Sequence, residues 1–291
     1  MNSPTVIDAA TAAQILSHAT GESYQLSGAL VGGESGAHKF LGPNDVPFVI
    51  KWETSSAVFD SRVAAVARSE ELRNIAHWPV PTERIVRADN VLFVIQEFMA
   101  GSTPTSIDHH LVDQLISLHP RRLNLADADG TNTWATHLIE TLTTGGSGYC
   151  VHGSFRSHDS RTKSLIERIE RFGETLDPSL LGGNDIVHWD LHPGNLLVRR
   201  EGLSAIVDTD FACVGDARFD LVFLAISSLA MQCGPDVRAR LNAAAFDQLD
   251  DVRTQAYLAH CFVRIIDWPI RRGNFNEVEF WLAKADELLT L

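Results

Sequence analysis

The sequence predicts an α+β protein of two lobes, a small mixed lobe over residues 1–100 and a larger, mainly helical lobe over residues 101–291. Three observations lead there. The first hundred residues alternate a helix, β-rich runs and a second helix; the remainder is dominated by apolar residues at helical spacing; and Gly101-Ser102-Thr103-Pro104 punctuates the change. Taken in order, Ala9 to Thr20 has helical periodicity, whereas Tyr24 to Val31, Phe48 to Trp52 and Val91 to Phe98 are rich in β-formers. Between the last two, Val58, Val63, Val66, Leu72 and Ile75 fit a helix within Ala57 to Ala76, stopped before Pro79 and Pro81. In the second lobe, Ile107 to His119, Trp134 to Thr143, Thr162 to Phe172, Leu221 to Met231 and two C-terminal stretches read as helices. One β-rich interlude breaks them, running Ile186 to His188, Asn195 to Arg199, a turn at Glu201-Gly202, and Ser204 to Asp208.

Composition narrows the function. With 291 residues, 45% of them hydrophobic, the chain can bury a substantial core. Its formal net charge of −13 argues against a nucleic-acid partner, because such affinity comes from Lys and Arg displacing counterions, and it favours a cationic ligand. No run approaches the ~20 apolar residues that span a bilayer, and the opening residues lack the basic and apolar regions of a secretory signal. The expectation is a cytoplasmic protein with no membrane partner, as a monomer or homodimer. Cys150, Cys213, Cys233 and Cys261 are scattered without a CxxC pair, which reads as free thiols.

The polar residues of the β-rich interlude carry the chemistry. His188-Trp189-Asp190-Leu191-His192-Pro193-Gly194-Asn195 is followed, after two short strands, by Ile206-Val207-Asp208-Thr209-Asp210-Phe211. Two carboxylates and an amide thus flank strands. Phosphoryl transfer needs an aligned nucleophile and cations that neutralise the phosphates: Asp190 can take or orient a hydroxyl proton, and Asn195 and Asp208 offer the hard oxygens that Mg²⁺ takes beside phosphate and water. The spacing H-x-D-x-x-x-x-N, with an Asp thirteen residues on, resembles the catalytic and metal loops of protein kinases. In detail, with Gly215-Asp216 and Asp220-Leu221 following, residues 186–221 resemble the aminoglycoside phosphotransferase and choline kinase-like superfamily. The resemblance implies a bilobal, protein-kinase-like fold, Asp190 as catalytic aspartate and Asn195 and Asp208 as metal ligands. It implies that His188 organises the loop, that His192 lies near the transferred phosphate, that Asp210 adds an outer contact to the metal, and that Asp220 ties the loop to a following helix.

In the small lobe, the turn Gly32-Gly33-Glu34-Ser35-Gly36 leads into the strand that carries Lys51. A glycine turn lets backbone N–H groups approach phosphates, and a lysine on the strand supplies a point charge, so Gly32, Gly33, Ser35, Gly36 and Lys51 are the candidate nucleotide contacts. The turn departs from G-x-G-x-x-G. The resemblance gives Lys51 a glutamate partner on the next helix, where Glu70 and Glu71 compete; Glu71 is favoured as one turn from Arg68, the position where related helices carry it. Gln96 to Met99 is the expected hinge, with Glu97 and Met99 presenting backbone to the purine of ATP or GTP. No G-x-x-x-x-G-K-[ST] is present, and the glycine turn leads to a strand, not a helix, which excludes P-loop and Rossmann readings.

The function expected is Mg²⁺-dependent transfer of phosphate from a nucleoside triphosphate to a hydroxyl of a small molecule. An aminoglycoside-like or other antibiotic acceptor leads; a metabolic kinase acting on choline, homoserine, a sugar or a secondary metabolite, and a nucleotide-binding pseudokinase, stand as alternatives. For a cationic acceptor, Asp267 beside Trp268, and Glu277 beside aromatic residues, are the candidate contacts, against a second reading of Glu277 and Glu279 as first-turn charges of an amphipathic helix.

Overall fold

Local sequence sets the first element. Asp8 accepts from the Thr11 amide to cap helix α1 (Ala9–Thr20), and Gly21, at φ +70°, ends it. The computed structural model describes residues 7–30, 38–125, 133–146 and 149–291. After α1 come β1 (Gln25–Ala29), β2 (His38–Leu41), β3 (Pro47–Glu53), α2 (Phe59–Asn74), β4 (Glu83–Ala88) and β5 (Val91–Glu97). They are followed by β6 (Ser106–Ile107), α3 (His109–Leu118), α4 (Thr133–Thr143), α5 (His152–His158), α6 (Ser160–Glu174) and β7 (Asp185–Val187). The chain continues through β8 (Leu196–Arg199), β9 (Gly202–Ile206), β10 (Cys213–Gly215), α7 (Arg218–Ser227), β11 (Gln232–Cys233), α8 (Pro235–Phe246), α9 (Asp251–Arg272) and α10 (Phe275–Leu288). The fold is α+β, as the sequence predicts.

The chain forms two compact units, one of Met1–Pro104, His188–Asp190 and Gly194–Cys213, the other of Thr105–Val187, Leu191–Pro193 and Val214–Leu291. In the first, five antiparallel strands run in the order β1-β2-β3-β5-β4. Two of them, β2 and β4, go beyond the sequence reading. β4 is Glu-Arg-Ile-Val-Arg-Ala, charged at half its positions, and it pairs only on one side; an exposed edge tolerates such a strand where a central position would not. One sheet face packs Phe40, Ile50, Phe93 and Ile95 against Ala9, Ala12, Ala13 and Leu16 of α1. Because successive strand residues point to opposite faces, burying Ile50 against α1 turns its neighbour Lys51 to the other face. The β8–β9 hairpin is stitched to the same unit: Ser102 and Val198 exchange backbone bonds of 3.1 and 2.8 Å, Ile206 N donates to Pro79 O, and Arg199 and Ser204 donate to Ala100 O. Gly101 permits that approach, since its φ is +156° and a Cβ there would stand 2.9 Å from the Leu197 Cβ.

The second unit is built of helices. Every residue of α7 from Phe219 to Ile226 is buried, and Trp134, Phe219 and Tyr257 meet edge to face at its centre. Within that apolar surround lies an ion pair: Arg122 and Asp220, both fully inaccessible, are hydrogen-bonded, and Arg122 also donates to Ala217 O at 2.9 Å and Ile186 O at 3.3 Å. Arg122 therefore links α7 to β7, the strand that runs into His188. Among the described residues no helix is long and apolar enough to cross a membrane.

Removing one partner of a buried pair leaves an uncompensated charge, costing about 3–5 kcal/mol. Arg122→Met should lower the unfolding free energy read from urea titration by that order, and the double variant Arg122→Met/Asp220→Leu should recover a large part of the loss. Equal destabilisation in single and double variants would contradict this account.

Candidate functional site

The loop after β7 is held by backbone groups of Val207. His188 is buried, with its Nε2 3.1 Å from Val207 O and its Nδ1 3.3 Å from the Asp190 amide. A carbonyl can only accept and an amide N–H only donate, so the ring is the neutral tautomer protonated on Nε2. Val207 N in turn donates to Asn195 O at 2.9 Å. Both polar groups of Val207 thus fasten the catalytic-type loop to the strand end that presents Asp208. His188, expected to organise the loop, lies at this junction.

Two residues here carry left-handed backbone, Trp189 at φ +73° and Asp208 at φ +67°. An aspartate visits that region at modest cost; a buried tryptophan does so only when its surroundings dictate it, and such strain concentrates at functional sites. Trp189 immediately precedes Asp190. Asn195 Nδ2 donates to Asp190 O at 2.9 Å and to Asp190 Oδ2 at 3.2 Å, which leaves its amide oxygen for another partner. Asp190 and Asp208 are close enough for the charge of the first to act on the second. Asp190, Asn195 and Asp208 are brought together as the sequence spacing implies.

Lys51 completes the cluster. Its ammonium donates to Asp208 Oδ1 at 2.6 Å and to Asp210 Oδ2 at 2.7 Å. Burial works to lower its pKa, but Asp210 and Asp208 outweigh it and hold the ammonium above its ordinary range. Burial likewise works to raise the pKa of Asp208, and the Lys51 charge and hydrogen bond reverse that, so the carboxylate stays ionised below its usual range. Arg62, on α2, reaches Asp210 Oδ1 at 2.7 Å and Glu53 at 2.8 Å. Behind them Glu83, half-buried on β4, accepts from Gln96 and lies 3.3 Å from the Thr209 hydroxyl, which also meets Ser69 at 3.2 Å; partial removal from water pushes the Glu83 carboxyl up. Arg62, Glu53, Glu83 and Ser69 escaped the sequence reading, because none stands in a motif and only the fold gathers them.

Three expectations change. Glu71 does not pair with Lys51: Arg68, one turn back on the same helix, takes both its oxygens at 2.6 and 2.8 Å, while Glu70 is exposed beside Arg73 and Asn74. The local helix pair is entropically simpler than a reach to β3. Asp210 is bound by Lys51 and Arg62 through both oxygens. Asp267 is sealed inside the second unit, accepting from Ser154 Oγ at 2.7 Å and paired with Arg271 at 3.1 Å, so it is a structural carboxylate and not a pocket one. Glu277 accepts from Asn274 at 2.8 Å and Trp281 at 3.4 Å in the first turn of α10, and Glu279 pairs with Arg161, which is the use of helix-terminal charges.

Gly32, Gly33, Ser35 and Gly36 lie outside the described residues. Glu97 closes β5, its amide donating to Thr82 O and its carboxylate accepting from the Thr82 hydroxyl at 3.1 Å; Met99 follows, half-buried, past the strand end. His192 is half-buried in the second unit with its ring edge-on to Phe223, 6.0 Å between centroids. Asp190, Asn195 and Asp208 together offer carboxylate and amide oxygens, the donor set that Mg²⁺ takes alongside phosphate and water; among the described residues no three His, Cys, Asp or Glu form a cage that would hold a metal by protein alone.

A family model, that of the APH phosphotransferase enzyme family, matches residues 70–257. The chain belongs to this family. No curated protein matches the sequence. Solved structures share the fold: a thermostable mutant of the aminoglycoside phosphotransferase APH(4)-Ia in ternary complex with AMP-PNP and hygromycin B has a TM-score of 0.63 at 14% identity, over 96% of this chain and 98% of that one. The GDP and kanamycin complex of APH(2")-IIia gives 0.59 at 16%, over 95% and 97%. A macrolide 2'-phosphotransferase type I gives 0.57 at 16%, over 99% of each. In this family member Lys51 of β3 joins the residues of the β-rich interlude in one cluster, although 157 positions separate it from Asp208.

A depressed carboxylate pKa contributes stability that is full above the unfolded value, near 3.9, and is lost as pH falls from there through the lower folded value. Asp208→Asn keeps the left-handed backbone accessible while removing the charge. The difference in urea midpoint between wild type and Asp208→Asn should therefore be full at pH 7 and shrink as pH falls below about 4; a difference independent of pH would contradict the ion pair.

Proposed function

We propose that the protein transfers the terminal phosphoryl group of ATP or GTP, with Mg²⁺, to a hydroxyl of a small molecule. The observation that carries this reading is the assembly of Asp190, Asn195, Asp208 and Lys51 in one cluster, in a chain of the phosphotransferase enzyme family. Residues 1–100 serve as the nucleotide lobe, with Gly32, Gly33, Ser35, Gly36 and Lys51 at the phosphates and the Glu97–Met99 backbone at the purine; residues 101–291 hold the acceptor.

Asn195 and Asp208 would hold Mg²⁺, which when bound supplies charge neutralisation of the phosphates. Asp190 takes the acceptor hydroxyl proton as the oxygen bonds to the γ-phosphorus and the bridging P–O bond breaks, releasing nucleoside diphosphate. The amide of Asn195, bonded to Asp190 Oδ2, aims that carboxylate. His188, locked by Val207, fixes the loop, and His192 stands near the transferred group. Lys51 draws charge from the phosphates. An aminoglycoside-like or other antibiotic acceptor is the leading class, supported by the antibiotic phosphotransferases that share the fold.

Thermal-shift titrations of ATP and GTP with and without Mg²⁺, then a nucleotide-turnover assay across hydroxylated acceptors, test the reading. Asp190→Ala should retain nucleotide binding while turnover falls ~10²–10⁴-fold, the usual contribution of a positioned acid or base. Near-normal turnover in the folded variant would remove Asp190 from the mechanism. Asp208→Asn and, less strongly, Asn195→Ala should shift the Mg²⁺ midpoint upward; midpoints equal to wild type in both would remove them as ligands.

A further inference from the structure

The ion pairs around Lys51 close a ring. Lys51 and Glu53 lie two residues apart on β3 and so share a face of the sheet. Lys51 Nζ meets Asp210 Oδ2 at 2.7 Å, Arg62 Nη1 meets Asp210 Oδ1 at 2.7 Å, and Arg62 Nη2 returns to Glu53 Oε1 at 2.8 Å. The ring is largely shielded from water: Lys51, Arg62 and Asp210 are 13, 15 and 5% exposed. Glu71, by contrast, is 31% exposed and bound to Arg68.

We propose that Asp210, gripped by Arg62, anchors Lys51 for the phosphates of the nucleotide, the task a glutamate of α2 was expected to perform; this rests on the phosphotransferase reading above. In protein kinases the strand lysine is held by a carboxylate other than the one that binds the metal. Asp208 cannot meet that requirement alone, because as a metal ligand it must give oxygens to the cation. Asp210 can. One of its oxygens is committed to Lys51, and the other is tied by a guanidinium whose second branch is fixed to the lysine's own strand. α2 then contributes to the site through a cation, Arg62, and Asp210 acts as a positioning residue that works through Lys51.

The test reads Lys51 directly. In nucleotide-free protein at mildly alkaline pH, acylation of Lys51 by a water-soluble succinimidyl ester, mapped by mass spectrometry, reports how firmly its proton is held. Asp210→Asn should raise the Lys51 rate about tenfold, the effect of one pKa unit. Arg62→Gln should raise it less, and Arg62→Lys should restore it towards wild type; Glu70→Gln and Glu71→Gln should leave it unchanged. Asp210→Asn should also weaken Mg²⁺–ATP binding about tenfold by titration, with circular dichroism confirming the fold and Arg62→Gln providing a second variant. An unchanged Lys51 rate in both Asp210→Asn and Arg62→Gln, or a rise with Glu71→Gln equal to that with Asp210→Asn, overturns the anchor. The expected labelling pattern in a wild type that binds neither ATP nor GTP overturns the phosphotransferase reading and the nucleotide role with it, and leaves only the ion-pair assignment.

Discussion

A buried ammonium must find anions, and much of the first unit follows from meeting that demand at Lys51. The register of β3 turns Ile50 into the core beneath α1 and Lys51 to the opposite face, where two carboxylates of the loop after β9 converge on it. Those carboxylates repel each other and would be costly to bury alone; Lys51 between them and Arg62 beyond make the arrangement tolerable. Such networks rarely add net stability over an apolar packing of the same volume. Their presence here is better understood as specifying where Asp208 and Lys51 point.

The catalytic-type loop depends on a different kind of restraint. Its geometry is imposed by uncharged hydrogen bonds to Val207, one to the amide and one to the carbonyl, so the position of Asp208 and that of Asp190 are set by the same residue. The left-handed backbone at Trp189 and Asp208 is held against its intrinsic cost by these bonds and by burial. In the second unit, Arg122 plays a comparable part beneath β7, with a buried guanidinium serving Asp220 and two carbonyls. A neutral clamp and a charged clamp thus bound the segment that carries Asp190.

The acceptor side is where charge arguments from composition fail. A net charge of −13 says that carboxylates are in excess, but not that any of them faces a ligand. Asp267 is buried against Ser154 and Arg271, and the exposed Glu277 and Glu279 meet Asn274, Trp281 and Arg161 near the start of α10. Acidity here is distributed over helix ends and local pairs, and so does not by itself mark a site.

What the sequence by itself determined is what depends on local spacing: the α+β order, the helix ended before Pro79, the loop-strand-strand segment that carries Asp190, Asn195 and Asp208, and membership of a phosphotransferase family. Period-2 and period-3.6 patterns, turn residues and fixed intervals within one segment are all legible along a line. The charged edge strand β4 was not, because its pattern is tolerated only at an edge, and edges exist only once a sheet has formed. Nor was the partner of Lys51. Several carboxylates compete for one ammonium, and helical spacing favoured Glu71, but Arg68 satisfies Glu71 within its own helix while folding brings Asp210 from 159 residues away. Which ions meet is decided by burial and distance in three dimensions, and those quantities have no counterpart in the order of residues.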